Sequence, residues 1–150
     1  MKSLHFLNKK EVKKILSLVK EQFDSEIVLE YEFLVNEKNK VYIVNKDIAK
    51  IDLTKLRVNS IGLYFGELHP EGLRLSIEGS QLIGPTAKKN VLELNEKELK
   101  EWIRGEDLVK EVDVKGFVII KHADDFFGCG KIIQGKILNH YPKVRRINLE

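Results

Sequence analysis

Val12, Ile15, Leu16, Val19 and Phe23 recur at three- and four-residue steps, with Lys13, Lys14 and Lys20 projecting between them. That spacing predicts an amphipathic helix, and Asn8 set three residues before Glu11 supplies a capping-box start. The apolar period then drops to two. Ile27, Leu29, Tyr31, Phe33 and Val35 predict a strand with one buried face. "NEKNK" turns the chain and 41–44 returns, so a hairpin is expected. Residues 47–56 read as a short helix. Residues 58–65 and 73–77 read as strands joined by the loop "GELHPEG", with its two glycines and one proline. A helical turn over 80–83 closes at Gly84-Pro85.

The stretch "GPTAKKN", residues 84–90, is a candidate boundary between two units, 1–90 and 91–150. Beyond it, 91–94 is strand-like and Asn95 with Glu98 repeats the helix-start signal. Leu99, Trp102 and Ile103 supply a buried face, and Gly105 suits the helix stop. Residues 117–120 form a β-rich run, "KHADD" turns, and 126–133 returns. Gln134-Gly135 leads into a further strand at 136–138. Gly128 and Gly130 fall inside a strand, where glycine permits a bulge or a close backbone approach. The expected fold class is α+β.

Composition narrows the picture. In 150 residues, 43% are hydrophobic, enough to bury a core. There is no apolar run of about 18 residues to cross a membrane, and the N-terminus lacks a secretory apolar core. The single cysteine, Cys129, excludes an internal disulfide. A reducing cytoplasm is therefore the expected setting. The net charge of +3 is modest, but it is unevenly spread. Acids dominate 93–113, while bases dominate 1–20 and 131–150. Basic ends on a near-neutral chain suit a polyanionic partner, although solvated faces would look the same.

Catalytic and cofactor signatures are sparse. No glycine-rich dinucleotide fingerprint or phosphate-binding Gly-Lys-Ser/Thr is present. His122, Asp124 and Asp125 could ligate a metal, but one histidine with two neighbouring acids is a weak set. Cys129 reads first as a small buried apolar residue. Nothing assembles an acid, a base and a nucleophile, so no enzyme, cofactor or metal is expected.

What remains is the terminal stretch "GKILNHYPKVRRI". Lys136, Lys143, Arg145 and Arg146 can neutralise phosphates, with Lys131 in support. Asn139, His140 and Tyr141 offer edges or planar faces to nucleotides. Pro142 fixes a bend before an extended basic segment. Tyr141 and Pro142 could equally pack the end of a barrel. Lys9, Lys13 and Lys14 are secondary candidates.

"GFVIIKHADDFFGCGKI" followed by "GKILNHYPKVRRI" resembles a PUA domain, a small RNA-binding pseudo-barrel. "LNEKELKEWIRGEDL" looks like its first helix and the turn after it. "NHYPK" resembles the end of the C-terminal module of Sun/Fmu-type RNA 5-methylcytosine methyltransferases. Residues 40–85 are similar to the α/β segment that precedes the PUA domain there, and in PUA-containing ribosome-biogenesis factors of archaea and eukaryotes. The resemblance implies an N-terminal α/β domain over 1–90 and a PUA-like mixed β pseudo-barrel over 91–150. The cofactor-binding domain and catalytic cysteines of those methyltransferases have no counterpart in this sequence. The implied function is a stand-alone, non-catalytic RNA-binding protein of rRNA processing or modification in ribosome biogenesis. Structured RNA, rRNA or tRNA, is the implied partner rather than DNA or membrane. The alternatives are an adaptor docking an RNA-modifying enzyme or pre-ribosomal factor, and a tRNA-binding accessory protein.

Overall fold

The computed structural model describes residues 4–46 and 62–146. The helix expected over 47–56 and the first part of the strand expected over 58–65 lie outside those residues.

Strand β1 (Leu4–Phe6) leads into helix α1 (Lys9–Phe23). Asn8 and Glu11 form the expected reciprocal cap, each side chain accepting from the other's backbone N–H at 2.9 and 3.0 Å. Asp24 ends the helix in the left-handed conformation, a common way to close a last turn. The apolar stripe is buried as the spacing requires, through Ile15, Val19 and Phe23.

Strands β2 (Tyr31–Asn36), β3 (Lys40–Asn45), β4 (Leu63–His69) and β5 (Gly72–Leu75) complete an antiparallel sheet in the order β1-β2-β3-β4-β5. The single buried face expected for the first long strand is incomplete. β2 lies inside the sheet between β1 and β3, and Leu34 and Asn36 are buried along with Phe33 and Val35. Buried polar groups need partners, and Asn36 Oδ1 accepts from the Lys38 and Lys40 amides at 2.9 and 3.0 Å, fixing the hairpin turn. "GELHPEG" is mostly strand rather than loop, with Pro70 and Glu71 alone between β4 and β5. Gly66 belongs to close strand pairing, since a Cβ there would lie 2.7 Å from the Arg74 carbonyl oxygen.

Ser76 caps helix α2 (Ile77–Ile83), accepting from the Gly79 amide at 2.9 Å. A 3-10 turn (Gly84–Thr86) follows. The second sheet contains β6 (Val91–Glu93), β7 (Leu108–Val109), β8 (Gly116–His122), β9 (Asp125–Ile133) and β10 (Lys136–Asn139), in the order β6-β8-β9-β10-β7. β6 runs parallel to β8 and the other pairs are antiparallel. Helix α3 (Glu96–Ile103) starts at the second capping box and inserts Trp102 against this sheet, which curls around it as a half-barrel. Trp102 is fully buried, and its Nε1–H donates to the Phe127 carbonyl at 3.0 Å. The fold is thus α+β, with a PUA-like pseudo-barrel in its second half.

The two sheets are joined by apolar packing. Ile119, Phe126 and Cys129 of the second sheet belong to the same buried cluster as Phe23, Phe33, Phe65 and Leu73. Among the described residues, no helix is long and apolar enough to cross a membrane.

Candidate nucleic-acid interface

The β9–β10 hairpin carries the basic strip toward the end of the chain. Lys136 is exposed at the start of β10, opposite Ile133 on one side and Val109 on the other. Lys131 is half-buried, and its Nζ lies 3.3 Å from Glu71 Oε1. Hydrogen bonding to Lys131, then its charge, holds the Glu71 carboxyl below the usual range.

Asn139 ends β10 as a latch. Its Nδ2 donates to the Trp102 and Glu106 carbonyls at 2.8 Å each, and its Oδ1 accepts from the Tyr141 amide at 2.7 Å. The Asn139 amide donates to Asp107 Oδ1 at 2.7 Å. With those bonds in place, the side chain positions the segment after α3 against the chain terminus. Tyr141 is half-buried against the Trp102 cluster.

The extended basic segment expected after Pro142 is instead a 3-10 turn, Lys143–Arg145, with Pro142 just ahead of it. A turn groups its side chains around one corner, whereas a strand would alternate them across two faces. Lys143 is exposed, with no ion-pair partner among the described residues. Arg145 pairs with Glu78 of α2. The Arg146 guanidinium is exposed, packs over Gly105, and its Nε donates to the Tyr141 carbonyl at 3.2 Å. Gly105 has positive φ, so helix stop and arginine seat both favour the missing side chain there. Lys9, Lys13 and Lys14 are exposed on α1.

His140 reaches across the molecule to Arg74 of β5, with Nδ1 and Nη1 3.1 Å apart. A guanidinium only donates, so Nδ1 must be the bare, accepting nitrogen. His140 is exposed overall, yet its ring lines a small cleft with Tyr64, Arg74 and Tyr141. Desolvation there, then the charge of Arg74, pushes its pKa below the ordinary histidine value. Arg74 also donates to Glu67 Oε2 at 2.9 Å. The sequence reading missed Arg74. The available signal was one arginine inside the apolar strand "GLRL", but its partner lies 66 residues away.

The remaining sequence candidates occupy structural positions. Cys129 is buried, and desolvation pushes its thiol up to about 12, so it stays protonated at neutral pH. Gly128, at positive φ, marks the expected bulge, and Gly130 the expected close approach, to Ile137 and Trp102. His122 bonds through Nδ1 to the Leu94 carbonyl at 2.8 Å. Among the described residues, no three His, Cys, Asp or Glu side chains are grouped to hold a metal ion.

Residues 89–147 match the family model described as the methyltransferase RsmF PUA domain. The chain is 33% identical over 92 residues to ribosomal RNA small subunit methyltransferase F of Erwinia tasmaniensis, covering 61% of this chain and 19% of that protein. The protein of the same name from Vibrio parahaemolyticus is 27% identical over 150 residues, covering 95% of this chain and 31% of the relative. The Vibrio cholerae protein is 30% identical over 100 residues, covering 65% and 21%. The chain thus spans less than a third of the length of these curated relatives. Together with the half-barrel around Trp102, these matches identify residues 89–147 as a PUA domain resembling the C-terminal module of Sun-type, RsmF-like rRNA methyltransferases.

Proposed function

We propose that this chain binds structured RNA at the corner where β10 passes into the terminal 3-10 turn, and that its own residues make or break no bond. The observation carrying the reading is the exposure of Lys143 and Arg146 at that corner of a PUA domain, with Lys136 exposed at the far end of β10. These cations are available to phosphates, whereas Lys131 and Arg145 already pair with Glu71 and Glu78. Lys136, Lys143 and Arg146 are the primary phosphate contacts. Arg145 joins them only by leaving Glu78, and Asn139 and Tyr141 hold the corner in shape. The buried, protonated Cys129 supports a binding role over a nucleophilic one. Because the relatives are named for methylation of small-subunit rRNA, hairpins from that RNA are the first ligands to test, with tRNA as the comparison.

Fluorescence anisotropy with a labelled small-subunit rRNA hairpin tests the site. Lys143→Gln with Arg146→Gln should weaken binding about tenfold or more and lower the salt slope by about one per lost phosphate contact. Unchanged affinity and slope in this double variant would remove the corner as the site. A second reading is docking of a separate RNA-modifying enzyme. Val109 and Ile133, both exposed beside Lys136, favour it as an apolar contact patch. It gains if purified protein ignores RNA while a nuclease-resistant protein complex depends on Val109.

A further inference from the structure

Helix α1 carries an arrangement of charge that its own stability does not favour. Lys9, Lys10, Lys13 and Lys14 are all exposed in its first two turns. Lys9 with Lys13, and Lys10 with Lys14, stand four residues apart, where side chains are neighbours and like charges repel. Lys9 and Lys10 also sit in the first turn, at the positive end of the helix dipole, where acids are favoured and cations are not. The acid of that turn, Glu11, is committed to the cap, its Oε1 accepting from the Asn8 amide at 3.0 Å. Among the described residues, none of these four lysines has an ion-pair partner. Lys20 differs. It lies in the last turn, where the dipole suits a cation, with its Nζ 3.4 Å from Glu26 Oε1.

Helical spacing gathers three of the four. Lys10, Lys13 and Lys14 line one open trough with Ser17, Leu18 and Glu21. The core takes Ile15, Val19 and Phe23 from the opposite side of the helix, so the fold has no use for these charges. A basic helix that lies on a membrane keeps its apolar face free to enter the lipid, and here that stripe is already buried in the protein. The trough holds no aromatic ring on which a base could stack. Flexible ammonium groups act as point charges, which suits them to phosphate oxygens and gives no readout of sequence. We propose that Lys10, Lys13 and Lys14 form a second phosphate-contact face that holds the RNA backbone without reading its bases. Phosphates there offset the repulsion that the lysines impose on the free helix. The proposal rests on the RNA-binding reading above and extends it from the terminal corner to the N-terminal helix.

The test uses a labelled small-subunit rRNA stem-loop long enough to span the molecule. Its anisotropy compares wild type, Lys10→Gln/Lys13→Gln/Lys14→Gln and Lys143→Gln/Arg146→Gln. Glutamine matches lysine in helix propensity, so the helix is retained. The triple variant should bind about tenfold or more weaker, with the salt slope lowered by about one per lost phosphate contact. Its melting temperature at low salt should equal or exceed that of wild type, because repulsion has been removed. Lys10→Arg/Lys13→Arg/Lys14→Arg, which keeps the charge, should bind like wild type. Unchanged affinity and slope in the glutamine triple variant overturns the face. So does a lowered melting temperature, which would make the lysines part of the fold. If Lys143→Gln/Arg146→Gln alone weakens binding, the corner stands and the helix face falls. If the triple variant alone weakens it, the face stands and the corner falls; if neither does, both fall. Phosphatidylserine vesicles that capture wild type but not the triple variant, with RNA affinity unchanged, would assign the face to a membrane and equally overturn the proposal.

Discussion

The Nδ1 atom of His140 joins the two sheets by accepting from Arg74, so a proton there would destroy the acceptor and set two cations 3.1 Å apart. Burial of the ring is the largest influence on its titration, followed by repulsion from Arg74, His69 and Lys131, with Asp107 opposing. The folded pKa is therefore depressed, while the unfolded one stays near the ordinary value of about 6.5. As pH falls through the unfolded value, the unfolded chain takes up the proton first. The folded state then loses stability until its own lower midpoint is passed. Solvent screening keeps this loss small at so exposed a residue. In an NMR titration the His140 imidazole should have its midpoint below about 6.5, and Arg74→Gln should raise it. A midpoint at or above the ordinary value, or one indifferent to Arg74, would show that the bond is not formed in solution.

At the scale of elements, strand β9 depends on its glycines. Ile119 pairs with Cys129 and Lys121 with Phe126, leaving Phe127 and Gly128 opposite a single residue as a bulge. The Gly128 amide, turned out of the ladder, donates to the buried Ser80 Oγ at 2.9 Å. Two residues on, a Cβ at Gly130 would stand 2.9 Å from the Trp102 ring and closer still to Ile137. Gly130→Ala should cost about 1–3 kcal/mol by overpacking, read as a lower urea midpoint at unchanged m-value. A loss under about 0.5 kcal/mol would mean that α3 gives way freely. These glycines, and both Asn-Glu helix starts, were legible in the sequence because their causes are local. The two- and three-residue strands β7 and β1 were not, for strands so short exist only through their partners. The same holds for Leu34 on the second face of β2, whose burial no local pattern announces. Pro142 was read as a bend before an extended strip, but local sequence could not distinguish that from a 3-10 turn. Charge alone marked the lysines of the site, whereas Arg74 acquires its setting from His140, 66 residues away.

In the whole molecule, the stretch 84–90 separates the two sheets in sequence without separating their packing. The amides of Lys88 and Lys89 donate to the Phe23 carbonyl at 2.8 and 3.3 Å, and α2 packs directly on β9. Ion pairs across the seam, Lys131–Glu71 and Arg145–Glu78, are solvent-screened and contribute little. The apolar contribution is larger: Ile119 and Phe126 are both buried there, and burying such a side chain is worth roughly 1.5–3 kcal/mol. A fragment of residues 84–150 would bare Ile119, Phe126 and Cys129 to water. It should bind the dye ANS, give a poorly dispersed amide NMR spectrum, and melt well below the full chain. The full chain should unfold in one transition by tryptophan fluorescence, which reports Trp102 in the second sheet, and by far-ultraviolet dichroism, which reports both sheets. A fragment with a dispersed spectrum and the parent melting temperature would show instead that the PUA domain is autonomous. Under the shared core, the fragment keeps Lys136, Lys143 and Arg146 but loses Arg74 beneath His140. Its RNA affinity should then fall further than its retained charge accounts for, because the first sheet holds the basic corner in place.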